Sequence, residues 1–293
     1  MVEFRQLARG VYLEGLAVDR ERDIVWFSDV VGGGVHGVAA AGSVQSFDLE
    51  RKWTGGLMLN HDGAVLSTGA GGIRWNNPET GKSGWLLERI DGRRINGINE
   101  MSPDGAGGLI FGTCDIERIA EAGTPRPSAL YRLAVDGELT LLAEGIDFAN
   151  GLMLSADGKR LYCNNTFHGT CVFDVSACLA LSNRRVLVEK PDCDGMALDS
   201  EGNLWVTGFQ SGHLLRIKPD GTALEPFATP ASAITQMRFG GADMCDVYIT
   251  SVSPEGGQSI KDGAPLTENN SILYRGRSAV AGMPIPPTRF TLG

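Results

Sequence analysis

Two carboxylates and one amide occupy the same local setting at widely separated points of the chain. They are Glu14 in Leu13-Glu14-Gly15-Leu16, Asn150 in Ala149-Asn150-Gly151-Leu152, and Asp194 in Cys193-Asp194-Gly195-Met196. Each stands just before a glycine and an apolar residue that begins a β-rich run. Brought together, the three side chains make a hard, all-oxygen donor set, which suits Ca²⁺, Mg²⁺ or Mn²⁺ better than a metal that prefers thiolate or imidazole. Without a cation the carboxylates would repel each other. Read one at a time, each is also explained as a plain turn residue, because Asn-Gly and Asp-Gly are among the commonest turn pairs.

What would bring residues 14, 150 and 194 to one place is a repeat that runs the length of the chain. An apolar stretch, a turn carrying Asp or Asn with Gly, a short β-rich strand, a second turn and another apolar strand recur six times, from Leu16, Leu57, Met101, Leu152, Met196 and Met237. The turn glycines Gly63, Gly105, Gly158, Gly202 and Gly241 lie 42, 53, 44 and 39 positions apart, bracketing the length of a four-stranded propeller blade. Alternation such as Leu204-Trp205-Val206-Thr207 is rich in β-branched and aromatic residues. The spacing predicts an all-β, six-bladed β-propeller with four-stranded antiparallel blades. Residues 1–293 form one domain, since each blade leans on its neighbours and no linker interrupts them. The innermost strand of each blade would face a central channel, and the three donors with it. A short helical turn is expected around Asp115 to Ala122, and the loops 115–129 and 252–272 are the longest interruptions. The last strand, Thr288 to Thr291, is expected to pair with the N-terminal strand and close the ring.

Bulk properties exclude several classes. A formal charge of -9 and a pI near 5.0 argue against nucleic-acid and anionic-membrane partners, which need a basic patch. The 40 glycines among 293 residues fit many tight turns. The N-terminus has no signal-peptide pattern and no run of eighteen apolar residues occurs, so a cytoplasmic location is expected. The six cysteines include no C-x-x-C pair and are expected to be reduced and mostly buried. Cys193 adjoins Asp194, but neighbouring strand residues point to opposite faces and no histidine lies nearby to activate it. His168 and His213 read as surface or hydrogen-bonded side chains, and Trp26, Trp205 and Phe111 as core.

Taken together, these segments resemble the senescence marker protein (regucalcin), gluconolactonase and luciferin-regenerating enzyme family across nearly the whole chain. Glu14 in YLEGLAVD stands where the family has the Glu of its G-E-[GS]-P segment, although Leu13 replaces the Gly and the Pro is missing. Asn150 in FANGL matches S-N-G-[LI], and Asp194 in CDGMALDSEGNLWV matches P-D-G-M. The resemblance implies one catalytic divalent cation, of calcium, magnesium, manganese, zinc or iron, held by Glu14, Asn150 and Asp194. It also implies hydrolysis of a small lactone, with Asp194 as general base. Asn99-Glu100, thirteen positions before Gly112-Thr113, stands for the family's N-D pair and gives Asn99 a substrate-binding role, as it gives Glu117. The family's arginine two residues before the Asn is Gly97 here, and Arg94 or Arg93 is the candidate to fill its space. Ester or phosphotriester hydrolysis, a hydration or dehydration on the same site, and a non-catalytic calcium-binding propeller are the alternatives.

Overall fold

The computed structural model describes residues 3–116 apart from 40 and 43, 128–253 and 268–293, and every named element in it is a strand. Each repeat folds into a four-stranded antiparallel sheet. Blade one comprises Leu13–Asp19, Ile24–Asp29, Val35–Ala39 and Val44–Phe47; blade two comprises Thr54–Leu59, Val65–Gly69, Ile73–Asn76 and Ser83–Leu87. Blade three comprises Gly97–Pro103, Leu109–Cys114, Ser128–Leu133 and Leu139–Ile146; blade four comprises Ala149–Leu154, Arg160–Asn165, Gly169–Val175 and Leu181–Glu189. Blade five comprises Cys193–Leu198, Leu204–Gly208, His213–Ile217 and Phe227–Ala228. Consecutive inner strands pack together and the sixth returns to the first, so the sheets close a ring.

The apolar residues of each strand have a blade on either side, which explains why the alternation is so apolar. Met58, Leu66 and Trp75 of blade two meet Ile98, Met101 and Phe111 of blade three in one buried cluster. Equivalent clusters lie between blades three and four, four and five, five and six, six and one, and one and two. Trp26, Trp205 and Phe111 are fully buried in these layers, as expected. A single blade would leave both faces wet, so its stability comes from its neighbours.

Ring closure differs from the sequence expectation. Arg5–Gly10 is the outer strand of blade six and pairs with Ser271–Arg277, which is joined to Asp246–Val252 and the inner Ala233–Gly240. The Thr288 segment pairs elsewhere, because prolines 284, 286 and 287 deny it ladder donors. It forms instead the end of a strap that crosses the channel at the end remote from residue 14. Along this strap Met283 N donates to Leu198 O (2.8 Å), Thr288 N to Leu59 O (2.9 Å) and Arg289 N to Gly107 O (2.8 Å), tying blades five, two and three. Asn60 of blade two anchors it, accepting from Thr288 Oγ1 at 2.8 Å and donating to Phe290 O at 3.0 Å. Beside the strap a cleft of about 590 Å³ remains between Phe239, Leu57 and Ile285. Phe290 is buried in the blade two–three layer, so Phe290→Ala should lower unfolding stability by about 3–5 kcal/mol; an unchanged denaturant midpoint would contradict this role.

The six cysteines are free. Among the described residues no helix is long and apolar enough to cross a membrane. Most of the expected helical turn, and the centres of the two long loops, lie outside the described residues.

Candidate active site in the channel

All six inner strands carry an irregularity at one level of the ring. The register shifts between Leu13 and Leu16, Thr54 and Leu57, Ile98 and Met101, Ala149 and Leu152, Cys193 and Met196, and Ile234 and Gln236. A bulge of this kind re-aims a side chain, and here it falls on Glu14, Asn99-Glu100, Asn150, Asp194 and Thr235. The glycines after Glu14, Asn150 and Asp194 are therefore strand residues, not turn residues. What they supply is close approach: a Cβ on Gly15 would lie 2.2 Å from Gly55 O, and one on Gly151 would lie 2.7 Å from Met196 N. These contacts are with backbone, which cannot yield, so glycine sets how tightly the inner strands close.

The second strands lock this level. Ser28 Oγ donates to Gly55 O (2.8 Å), Thr68 Oγ1 to Asn99 O (2.7 Å), Asn164 Nδ2 to Asp194 O (2.6 Å), and Thr250 Oγ1 to Glu14 O (2.7 Å). Thr207 Oγ1 lies 3.1 Å from both Gly195 O and Thr235 O. Each polar side chain thus bridges from one blade to the next at the carbonyl of a channel residue. Sequence reasoning missed them, although a Ser, Thr or Asn near the end of the second strand recurs in these repeats. Approaches to the inner strands are fixed likewise: Asp29 accepts from Val11 N and Tyr12 N (2.7 and 3.0 Å), and Asn165 Oδ1 from Asp147 N and Phe148 N (3.0 and 3.2 Å).

Within this frame Glu14, Asn150 and Asp194 are all buried. Asn99 joins them: its Nδ2 donates to Asn150 Oδ1 at 2.9 Å, while Asn150 Nδ2 donates to Thr166 Oγ1 at 3.1 Å. A carbonyl oxygen has two lone pairs, so Asn150 Oδ1 keeps one for a further partner. Burial raises the Glu14 carboxyl from 4.5 to about 8, with the Glu100 charge adding to the effect. Burial also raises Asp194 well above its ordinary value, reinforced by Glu14 and then Glu100, while Asn150 offsets a part. Asp194 Oδ1 is buried with no hydrogen-bond partner among the described residues. A buried, mutually repelling pair with an orphaned oxygen is costly as it stands and matches the demand of a divalent cation. The donor set has only two carboxylates; among the described residues no group of three or more His, Cys, Asp and Glu is placed to hold a metal.

Glu100 is the residue the sequence did not single out. It lies on blade three, and its Oε2 accepts from Gln236 Nε2 of blade six and stands 3.6 Å from Arg238 Nη2. Blades three and six are opposite members of the ring, so this contact bars the channel beneath the three donors. At the mouth, Tyr12 stacks on Phe209 with ring centroids 6.3 Å apart, and its hydroxyl is raised by burial and by the Glu14 and Asp194 charges. Phe148 stacks on Phe167 at 6.4 Å, and Phe167 is exposed with a φ of 81°.

Other candidates fall elsewhere. Arg94 sits on a two-stranded hairpin, Arg89–Ile90 with Arg93–Arg94, turned by Asp91-Gly92 with both φ positive. It lines a cleft of about 460 Å³ with Arg93, Gly97, Thr113 and Tyr131, and Glu14, Asn150 and Asp194 are not among its lining residues. Glu117 lies outside the described residues. Burial, followed by the Asp194 charge, pushes the Cys193 thiol up to about 12, which disfavours a thiolate nucleophile. His168 pairs with Asp147 on the surface.

Comparison with known proteins bears on the whole ring. Residues 13–253 match the model of the SMP-30/Gluconolactonase/LRE-like region. The chain is 27% identical over 278 residues to the pentonolactonase of Haloferax volcanii, covering 90% of this chain and 89% of that protein. It is 27% identical over 225 residues to regucalcin of Gallus gallus, covering 73% and 74% respectively. Among solved structures, a luciferin-regenerating enzyme superposes with a TM-score of 0.84 at 21% identity over 99% of this chain and 100% of that one. A gluconolactonase from Xanthomonas campestris gives 0.78 at 24% identity, over 94% and 89%.

Proposed function

Because the chain belongs to the SMP-30/gluconolactonase/LRE-like family, we propose that it is a divalent-metal-dependent lactonase, opening a small lactone to its hydroxy acid. The observation that carries this reading is the orphaned Oδ1 of Asp194, buried beside Glu14 in a channel where both carboxylates are driven toward their protonated forms. The relatives' names supply the reaction class: one acts on a pentonolactone and another is a gluconolactonase.

Glu14, Asn150 and Asp194 would hold the cation, which when bound supplies Lewis acidity toward the lactone carbonyl and an acidified water. Asp194 takes the proton of the attacking water as its oxygen bonds to the carbonyl carbon. It returns that proton to the ring oxygen as the ester C–O bond breaks, leaving a carboxylic acid and a hydroxyl. Asn99 fixes Asn150 through its amide N–H and offers its Oδ1 to a substrate hydroxyl. Tyr12 and Phe209 exclude water from one side. In this reading the protein is one domain over 1–293 that takes a small-molecule substrate and works in the cytoplasm, with Glu117 and Arg94 as further substrate-binding residues beside Asn99.

A pH-indicator assay on sugar and aromatic lactones, run on EDTA-stripped protein and after restoring single divalent cations, tests the proposal. Acid release is expected only with metal, at least about 10²-fold above the stripped protein. Equal rates without metal would remove the cation from the reaction, and silence with every lactone despite metal binding would leave a non-catalytic cation-binding propeller.

A further inference from the structure

Resting on the reading that one cation sits at Glu14, Asn150 and Asp194, we propose that Arg238 is the channel's built-in counter-charge, limiting the site to a single divalent ion and setting its affinity. Three buried carboxylates, Glu14, Glu100 and Asp194, act on one another electrostatically. Against them stands one guanidinium, that of Arg238, only 5% exposed and paired with Glu100. Nearby Lys190 is already neutralised by Asp192 at 2.7 Å. With all three carboxylates ionised, as a bound cation favours, three negative charges and one positive leave two uncompensated, the charge of one divalent cation.

The geometry keeps Arg238 in that role. Its Nη1 donates to Gln236 Oε1 (2.6 Å), Met237 O (2.9 Å) and Met196 O (3.1 Å), so the head group is held to blades five and six. Gln236 relays the restraint, since its Oε1 also accepts from Met237 N at 2.9 Å while its Nε2 holds Glu100. The second oxygen of Glu100 is also engaged, its Oε1 accepting from Met101 N at 2.9 Å. The glycines admit the bar: a Cβ on Gly56 would lie 2.2 Å from Glu100 Oε1, and one on Gly195 would lie 2.2 Å from Gln236 Oε1. Freed of Arg238, Glu100 would be a fourth oxygen donor and a third uncompensated charge.

Calorimetric titration and elemental analysis with Ca²⁺ and with Mn²⁺ on stripped, full-length protein test this without reference to activity. Wild type should bind one ion per chain. Glu100→Gln, which removes one negative charge with little change of shape, should weaken binding by at least about tenfold at unchanged stoichiometry. Arg238→Met should tighten binding by at least about tenfold or take up a second ion, and the double variant, again short of two charges, should return to within about threefold of wild type. Arg238→Lys should keep one ion. If circular dichroism shows Arg238→Met unfolded, Glu100→Gln decides alone. Unchanged affinity in Glu100→Gln overturns the inference while the metal site stands; absence of binding by wild type overturns both.

Discussion

Replacing Asp194 with Asn is expected to lower kcat/KM for lactone hydrolysis by about 10³-fold or more, while leaving the metal-free protein more stable than wild type. The two effects share one cause. Asp194 is sealed in the channel, its Oδ1 has no hydrogen-bond partner, and Glu14 and Glu100 oppose its charge. A group in that setting is held against its own preference, and each unit by which its pKa is raised represents about 1.4 kcal/mol. Asn keeps the shape and discards the charge, so the metal-free protein should be more stable than wild type near neutral pH. In the proposed mechanism it also discards the base and a charged metal donor. Kinetics with saturating metal and chemical denaturation in EDTA read the two halves separately. A variant as active as wild type would dismiss Asp194 as the base; one less stable without metal would show that the carboxylate is satisfied in a way its surroundings do not suggest.

The second large effect is a reversal of pH dependence by metal. Glu14 is raised from 4.5 to about 8 in the folded protein, and Asp194 moves the same way. Between their unfolded and folded values the native state holds more protons than the unfolded chain, so the stability of the metal-free protein should fall as pH rises from about 4 to about 8. The Glu14 shift alone corresponds to at most about 5 kcal/mol over that window. A bound cation favours the ionised carboxylates, so the metal-loaded protein should lose this slope and the stabilisation by metal should grow with pH. Melting temperatures of stripped and Ca²⁺-loaded protein from pH 4.5 to 8.5 provide the check. Parallel curves would show that neither carboxylate is linked to the ion.

The blades, and the meeting of Glu14, Asn150 and Asp194 at one level of the channel, were legible in the sequence for a local reason. All inner strands but the first are followed by a turn that carries Asp or Asn with Gly, at Gly63, Gly105, Gly158, Gly202 and Gly241, and Glu14, Asn150 and Asp194 each precede a glycine in a matching frame. The meaning of those glycines was not legible, because a turn and a bulge use similar residue pairs. Only the neighbouring blade reveals that Gly15 and Gly151 are there for close approach. The Glu100, Gln236 and Arg238 bar was hidden for a different reason. Its partners are 136 and 138 positions apart, and ITQMRFG reads as an ordinary strand. Ring closure was misassigned to the Thr288 segment because alternation alone does not distinguish a ladder strand from a proline-rich strap.

The bar and the strap also determine traffic. Among the described residues the channel is crossed by the Glu100–Arg238 pair and underlain by residues 278–293, which leaves the end beside Tyr12 and Phe209 as the approach to Glu14 and Asp194. In the proposed reaction lactone and hydroxy acid would share that approach, and each turnover would end with the product leaving along the path by which the ring came in. Accumulated hydroxy acid would stand in the way of fresh lactone, as a competitor, and the enzyme would slow as its own product built up. The product leaves as an anion from a protein carrying a formal charge of -9, and that field favours its departure.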